Sequence, residues 1–184
     1  ARSEGIVKSL KANAKNYSSS GQAIWSVSDL IDEVLGEKQI EKGVLISYEI
    51  AEKSQFLIDI NKIEFGRVIS NILNNAIEAT EGLQGPVVCV SPSSKRSFVD
   101  IEVADKGMGI APSQLPHIFQ KGVSTKPGGQ GLGLYHANNF VKAAGGVLIV
   151  KSKLSEGTRG LVRLPLVTKE TGEKSVKAGL RNSS

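Results

Sequence analysis

The chain has one cysteine, two histidines and no long apolar run among its 184 residues. A single cysteine, Cys89, excludes an intrachain disulfide and fits a reducing compartment. It lies inside an apolar stretch and reads as a small core residue. No window approaches the eighteen or so apolar residues of a membrane span, and no signal-peptide pattern opens the chain. The expected location is the cytoplasm, with no membrane contact by this domain, although a parent chain can still be membrane-anchored. An excess of one sign of charge over the folded body is also missing. The net charge is +5, but residues 1–20 and 169–184 hold the whole excess, and between them fifteen bases balance fifteen acids. A nucleic-acid partner needs a basic patch on the body, so none is expected. What remains is 40% hydrophobic content, enough for the core of one domain.

The organising stretch is Ile60 to Thr80. Phe65, Ile69, Ile72, Ala76 and Ile77 recur at helical spacing and form an apolar stripe. Glu64, Arg67, Asn71, Asn75 and Glu78 form a polar stripe on another face. Asn61 with Glu64 offers a capping box. A solvated face is the ordinary explanation of a polar stripe. Asn71, Asn74 and Asn75 argue otherwise, because Asn costs very roughly 0.5 kcal/mol relative to Ala in a helix. A merely wet face is built more cheaply from Glu, Lys or Gln.

Around this helix the pattern predicts a short helix at 4–17, a strand at 22–27, and a helix at 30–38 capped by Ser28 or Asp29. Runs 44–50 and 55–60 read as strands. Runs 86–91 and 97–104 pair across a turn, with Val99, Ile101 and Val103 alternating with Asp100 and Glu102. A short helix is expected near 114–119, a helix at 134–144, and final strands at 147–153 and 157–166. The tail from Thr168 is polar and expected to be disordered. Helices among antiparallel strands, without strict βαβ alternation, predict an α+β domain with a mostly antiparallel sheet covered on one face.

Four segments carry candidate chemistry. Asn71 and Asn75 lie one turn apart, and amide oxygens are hard neutral ligands suited to Mg²⁺ that leans on substrate phosphates. Asp105-Lys106-Gly107-Met108-Gly109 follows a strand. A carboxylate there can accept from an exocyclic amine while flexible backbone closes over a flat ring, or it can simply start a turn. Phe119 to Lys126 offers hydroxyls and Lys126 to phosphates, or is a polar surface loop. Gly128 to Leu134 places four glycines in six positions at a helix start. Bare N–H groups beside a helix N-terminus make an anion site, though the same glycines also suit a mobile lid. The spacing is neither the dinucleotide-binding fingerprint nor a Walker loop.

In this order the four segments resemble the ATP-binding catalytic domain of sensor histidine kinases. The wider group includes gyrase-type topoisomerases, ATP-hydrolysing chaperones and mismatch-repair ATPases. Asn71 to Ala76 resembles the N box, Asp105 to Gly109 the first glycine box, Phe119 to Lys126 the F box, and Gly129 to Leu134 the second glycine box. Gly145-Gly146 through Ser152, Gly157-Thr158 and Leu164-Pro165-Leu166 resemble the closing strands. The resemblance spans about residues 22–167 and implies a two-layer, left-handed α/β sandwich of the Bergerat type: a mixed five-stranded sheet under three helices. It implies ATP and Mg²⁺ as ligands. Asp105 would hold the adenine amino group with Thr158 nearby. Asn75 would coordinate Mg²⁺ with Asn71 assisting, and Lys126 would join these two in catalysis. Glu78, Gly107, Gly109, Ser124, Thr125, Gly129, Gly131, Leu132, Gly133 and Leu134 would complete the nucleotide site. ATPase relatives carry a water-activating glutamate one turn before the metal asparagine. Asn71 stands there instead, and an amide is no base, so transfer to another acceptor is favoured over hydrolysis.

The implied partners are a dimerisation domain bearing the phosphoacceptor histidine and a response regulator. Neither His117 nor His136 has an acceptor's context. Residues 1–20 resemble the end of the second helix of the dimerisation hairpin, 21–167 form the catalytic domain, and 168–184 a flexible tail. On this reading the acceptor precedes Ala1, so the chain binds ATP without phosphorylating itself. Two alternatives remain open: a degenerate domain serving as a docking platform, and a serine kinase of the anti-sigma type.

Overall fold

The computed structural model describes residues 21–51, 56–80, 85–93, 97–124 and 129–167. The readings at 4–17, Thr125, Lys126, Gly128 and the tail from Thr168 lie outside the described residues.

Strand β1 (Gln22–Ser26) leads directly into helix α1 (Val27–Lys42). The Ser26 side chain caps α1 by accepting from the Asp29 amide, so the helix starts earlier than the Ser28 or Asp29 caps would allow. Gly43, at φ 63°, closes it, its N–H donating to the Gln39 carbonyl. Strands β2 (Ser47–Ile50) and β3 (Leu57–Asn61) follow, and then helix α2 (Lys62–Ala79). Asn61 accepts from the Glu64 amide at 3.1 Å, which is half of the expected capping box. The Glu64 carboxylate instead meets Arg67 at 2.6 Å.

Strands β4 (Val87–Pro92) and β5 (Phe98–Ala104) form the expected antiparallel pair. A 3₁₀ turn occupies Leu115–His117, where Pro116 removes a backbone donor. Helix α3 (Gly133–Ala143) and strands β6 (Val147–Lys153) and β7 (Gly157–Pro165) complete the described chain.

The main sheet has five strands in the order β2-β4-β5-β7-β6. It is mixed, because β2 runs parallel to β4 while the other neighbours are antiparallel. Strands β1 and β3 form a separate antiparallel pair. The core lies between helices and sheet. Phe65, Ile69, Ile72, Leu73, Ala76 and Ile77 of α2 are buried in one cluster with Val88, Val90, Val99, Ile101, Val103, Val162 and Leu164 of the sheet. Gly160 lets β7 run close beneath α2, since a Cβ there would lie 3.1 Å from the Ile72 methyl. The alternating partners on β5 face away from the helices. There Asp100 takes a two-pronged hydrogen bond from Arg163 at 2.7 and 2.6 Å. The fold is thus α+β, five mixed strands with three helices, as the sequence implies.

Candidate nucleotide site

Asp105 stands at the exit of β5, one residue beyond its last ladder position. Its backbone N–H donates to the Thr158 carbonyl at 2.9 Å, extending the β5–β7 ladder. Its Oδ1 accepts from the Gly107 amide at 2.8 Å and from the Thr158 amide at 3.2 Å. The carboxylate is fixed by backbone alone, and no described group donates to Oδ2. Burial pushes the Asp105 carboxyl above the usual range, and the hydrogen bonds from Gly107 and Thr158 partly offset this. A half-buried carboxylate with one oxygen engaged and one open is suited to accept from an exocyclic amine.

The first glycine box is fastened at both ends. Met108 donates its N–H to the Ala79 carbonyl at the end of α2, at 3.2 Å. A Cβ on Gly107 would lie 2.4 Å from that same carbonyl oxygen, so only glycine permits the approach. Gly109, at φ +70°, passes so close to the Lys153 carbonyl that an added Cβ would lie 2.1 Å from its oxygen. The Ser152 hydroxyl then ties the loop to the closing hairpin. It accepts from the Ile110 amide at 2.8 Å, donates to the Gly157 carbonyl and lies 2.9 Å from the Thr158 hydroxyl. Sequence reasoning passed over Ser152. Its signal is position: it continues the inward series Leu148, Val150 along β6, where an apolar residue is due.

The second glycine box docks on both remaining segments. The Gly122 amide donates to the Gly131 carbonyl at 3.1 Å. Gly131, at φ +64°, packs against Gly122 and Val123. Gly133 opens α3, and its carbonyl lies 3.4 Å from the Asn71 Nδ2 donor. Leu132 precedes α3 without any side-chain cap, so among the described residues the first-turn N–H groups have no side-chain acceptor. Asn71 and Asn75 are half-buried on α2, with Glu78 exposed one turn on. Ser124 and Gly129 are exposed and Leu134 is half-buried. The structure therefore gathers Asn71, Gly131, Leu132 and Gly133 at one end, and Asp105, Gly107, Gly109 and Thr158 at the other. The end of α2 and the first glycine box link the two.

Among the described residues no cluster of three His, Cys, Asp or Glu side chains can hold a metal. A divalent ion here would rest on the amide oxygens of Asn71 and Asn75 and on ligand phosphates. That donor set fits Mg²⁺, which keeps its waters and leans on phosphate. No helix among the described residues is long and apolar enough to cross a membrane.

Residues 60–168 match the family model described as histidine kinase-, DNA gyrase B-, and HSP90-like ATPase. The sensor histidine kinase RppB of Synechocystis is 34% identical over 146 residues, 76% of this chain and 31% of RppB. DpiB, a sensor histidine kinase of Escherichia coli K12, is 35% identical over 124 residues, 64% of this chain and 22% of DpiB. The chain thus spans less than a third of the length of these relatives. Among solved structures, full-length ShkA in complex with AMPPNP superposes with a TM-score of 0.70 at 26% identity, covering 80% of this chain and 31% of ShkA. The nucleotide-free catalytic domain of the histidine kinase ThkA gives 0.64 at 22% identity, covering 79% of this chain and 95% of that domain. The ThkA likeness concerns the fold alone.

Proposed function

The chain belongs to the histidine kinase-, DNA gyrase B-, and HSP90-like ATPase family, and we propose that it is the donor half of a two-component sensor kinase, binding Mg-ATP and passing the γ-phosphoryl group to a histidine on a dimerisation domain. The observation that carries this reading is the Asp105 carboxylate, locked by Gly107 and Thr158 with Oδ2 open. An amino group on a flat base satisfies that oxygen. A keto group in the same place would face it with like charge. ShkA, the relative solved with AMPPNP, supports an adenine nucleotide as the ligand.

On this reading Asp105 and Thr158 hold adenine, and Gly107 and Gly109 let backbone approach the ring. The phosphates lie toward Asn71 and the uncapped start of α3, with Ser124, Gly129, Gly131, Leu132, Gly133 and Leu134 around them. We assign Thr125 and Lys126 to the phosphates as well, and Glu78 to the rim. Asn75, with Asn71, would hold Mg²⁺, which neutralises phosphate charge when bound. The acceptor imidazole nitrogen attacks Pγ with its lone pair. The bond from Pγ to the β,γ-bridging oxygen breaks, ADP leaves with that pair, and the phospho-imidazolium releases the proton of its other nitrogen. Asn71 offers an attacking water no base, so hydrolysis stays slow. The acceptor lies on a dimerisation hairpin. A response regulator receives the phosphoryl group next, and the cytoplasm, where ATP is available, is the working compartment.

The test is transfer from radiolabelled ATP to a separately expressed dimerisation hairpin of a sensor histidine kinase. An acid-labile label on the hairpin is expected. An acid-stable label would point to a serine acceptor, and ATP binding without transfer to any hairpin would point to a docking platform.

A further inference from the structure

Ser152 and Thr158 are register partners across the β6–β7 hairpin. Thr158 starts the series on β7 that continues through Gly160, Val162 and Leu164, which are buried toward the helices. Ser152 continues the matching series on β6. Both hydroxyls therefore lie on the helix-facing side of the sheet, at the end where Asp105 leaves β5. A hydroxyl placed where an apolar residue is due carries a desolvation cost unless it is hydrogen-bonded. Ser152 is engaged three times over: by the Ile110 amide at 2.8 Å, the Gly157 carbonyl at 2.9 Å and the Thr158 hydroxyl at 2.9 Å.

The direction of each of these bonds follows by elimination. A serine hydroxyl has one hydrogen and two lone pairs. The Ile110 N–H can only donate, so it takes one lone pair. The Gly157 carbonyl can only accept, so it takes the hydrogen. What Ser152 has left for Thr158 is its second lone pair, so the Thr158 hydroxyl must be the donor between them. Its one hydrogen is then committed away from the site. An unrestrained threonine hydroxyl turns to donate or accept as its neighbour requires, whereas this one can only accept. Beside it, Asp105 takes the Thr158 amide on Oδ1 at 3.2 Å and keeps Oδ2 open, also as an acceptor. An exocyclic amine brings two hydrogens to such a pair of acceptors. A keto oxygen brings none.

We propose that Ser152 is a positioning residue for base selectivity. By directing its own hydrogen to the Gly157 carbonyl, it holds the Thr158 hydroxyl as an acceptor and sets the preference for a 6-amino over a 6-oxo purine. The proposal rests on the adenine-nucleotide reading of the site. Without the Ser152 oxygen, the Thr158 hydroxyl is free to turn its hydrogen toward the base, where a keto oxygen accepts it. A residue that merely tied the first glycine box to the hairpin would change affinity for both kinds of base alike.

The experiment is calorimetric titration of the chain with ADP and with IDP, whose base carries a keto oxygen and an N1 proton in place of the amine. The readout is the ratio of the two Kd values. Ser152→Ala should lower the preference for ADP about tenfold, and Ser152→Thr, which keeps the hydroxyl, should restore most of it. Thr158→Val keeps the shape of the side chain but removes the acceptor, so it should lower the same preference. Adding Ser152→Ala to that variant should lower it no further, since both changes act through one hydroxyl. Equal losses of ADP and IDP affinity in Ser152→Ala would overturn the proposal, as would a further drop in the double variant. Should melts show Ser152→Ala unfolded, a parent-like preference in Thr158→Val would overturn it as well. A folded parent that binds neither nucleotide, or binds IDP as tightly as ADP, would instead overturn the adenine reading, so the two failures are separable.

Discussion

Replacing Asp105 with Asn separates recognition from stability, because the two should move in opposite directions. Asn keeps one oxygen for the Gly107 and Thr158 amides, which approach Oδ1 at 2.8 and 3.2 Å. It replaces the open oxygen with an NH₂ group, which confronts the adenine amino group donor to donor. A hydrogen bond to a charged acceptor contributes about 1.5–3 kcal/mol, so affinity should fall roughly 10- to 150-fold. Stability should not fall. Burial raises the Asp105 pKa in the folded state above its unfolded value. The favourable contribution of such a group is present below the unfolded pKa and is lost as pH rises through the folded one. At neutral pH the buried carboxylate is therefore a cost, and Asn removes it. Calorimetric titration with ADP, paired with thermal melts at neutral pH, checks both signs. An Asn variant that binds ADP like the parent, or that loses both affinity and several degrees of Tm, would refute the reasoning.

Further outcomes follow from the same geometry. Protonation of Asp105 should weaken ADP binding as pH falls through its raised pKa, and the Asn variant should lose that pH dependence; titrations across the acid range read this directly. Gly109→Ala adds a methyl 2.1 Å from the Lys153 carbonyl oxygen at a φ of +70°. A cost of at least about 2 kcal/mol should lower Tm by roughly 4 °C or more, read by calorimetry. Asn75→Ala should weaken nucleotide binding chiefly with Mg²⁺ present, and an equal loss in EDTA would assign Asn75 a structural role. Leu73→Ala, at a fully buried position of α2, should cost about 2–5 kcal/mol in urea unfolding.

Local patterns were legible in the sequence because their causes are local. The apolar stripe of α2, the Asn61 cap and the alternation of Val99, Ile101 and Val103 need only nearest turns and neighbours. The order of the asparagine and glycine segments likewise announces which residues gather, since Asp105 meets Thr158 and Asn71 meets Gly133. Long-range pairing was not legible. The parallel β2–β4 contact and the separate β1–β3 pair depend on where α1 and α2 pack, not on either strand's own pattern. Strand β2 starts at Ser47 and not Val44, being an edge strand that holds only four residues in register. Helix α1 is longer than its apolar pattern suggested, since Ser26 precedes two other plausible caps and Gly43 supplies the stop. The role of Ser152 emerges only when residues distant in the chain are brought together.

The central claim is that the Asp105 and Asn71 ends form one Mg-ATP site. It is tested most directly by calorimetric titration of the chain with an unhydrolysable ATP analogue, with and without Mg²⁺. The account predicts saturable binding that strengthens with Mg²⁺. A folded sample that binds no analogue at millimolar concentration would contradict it.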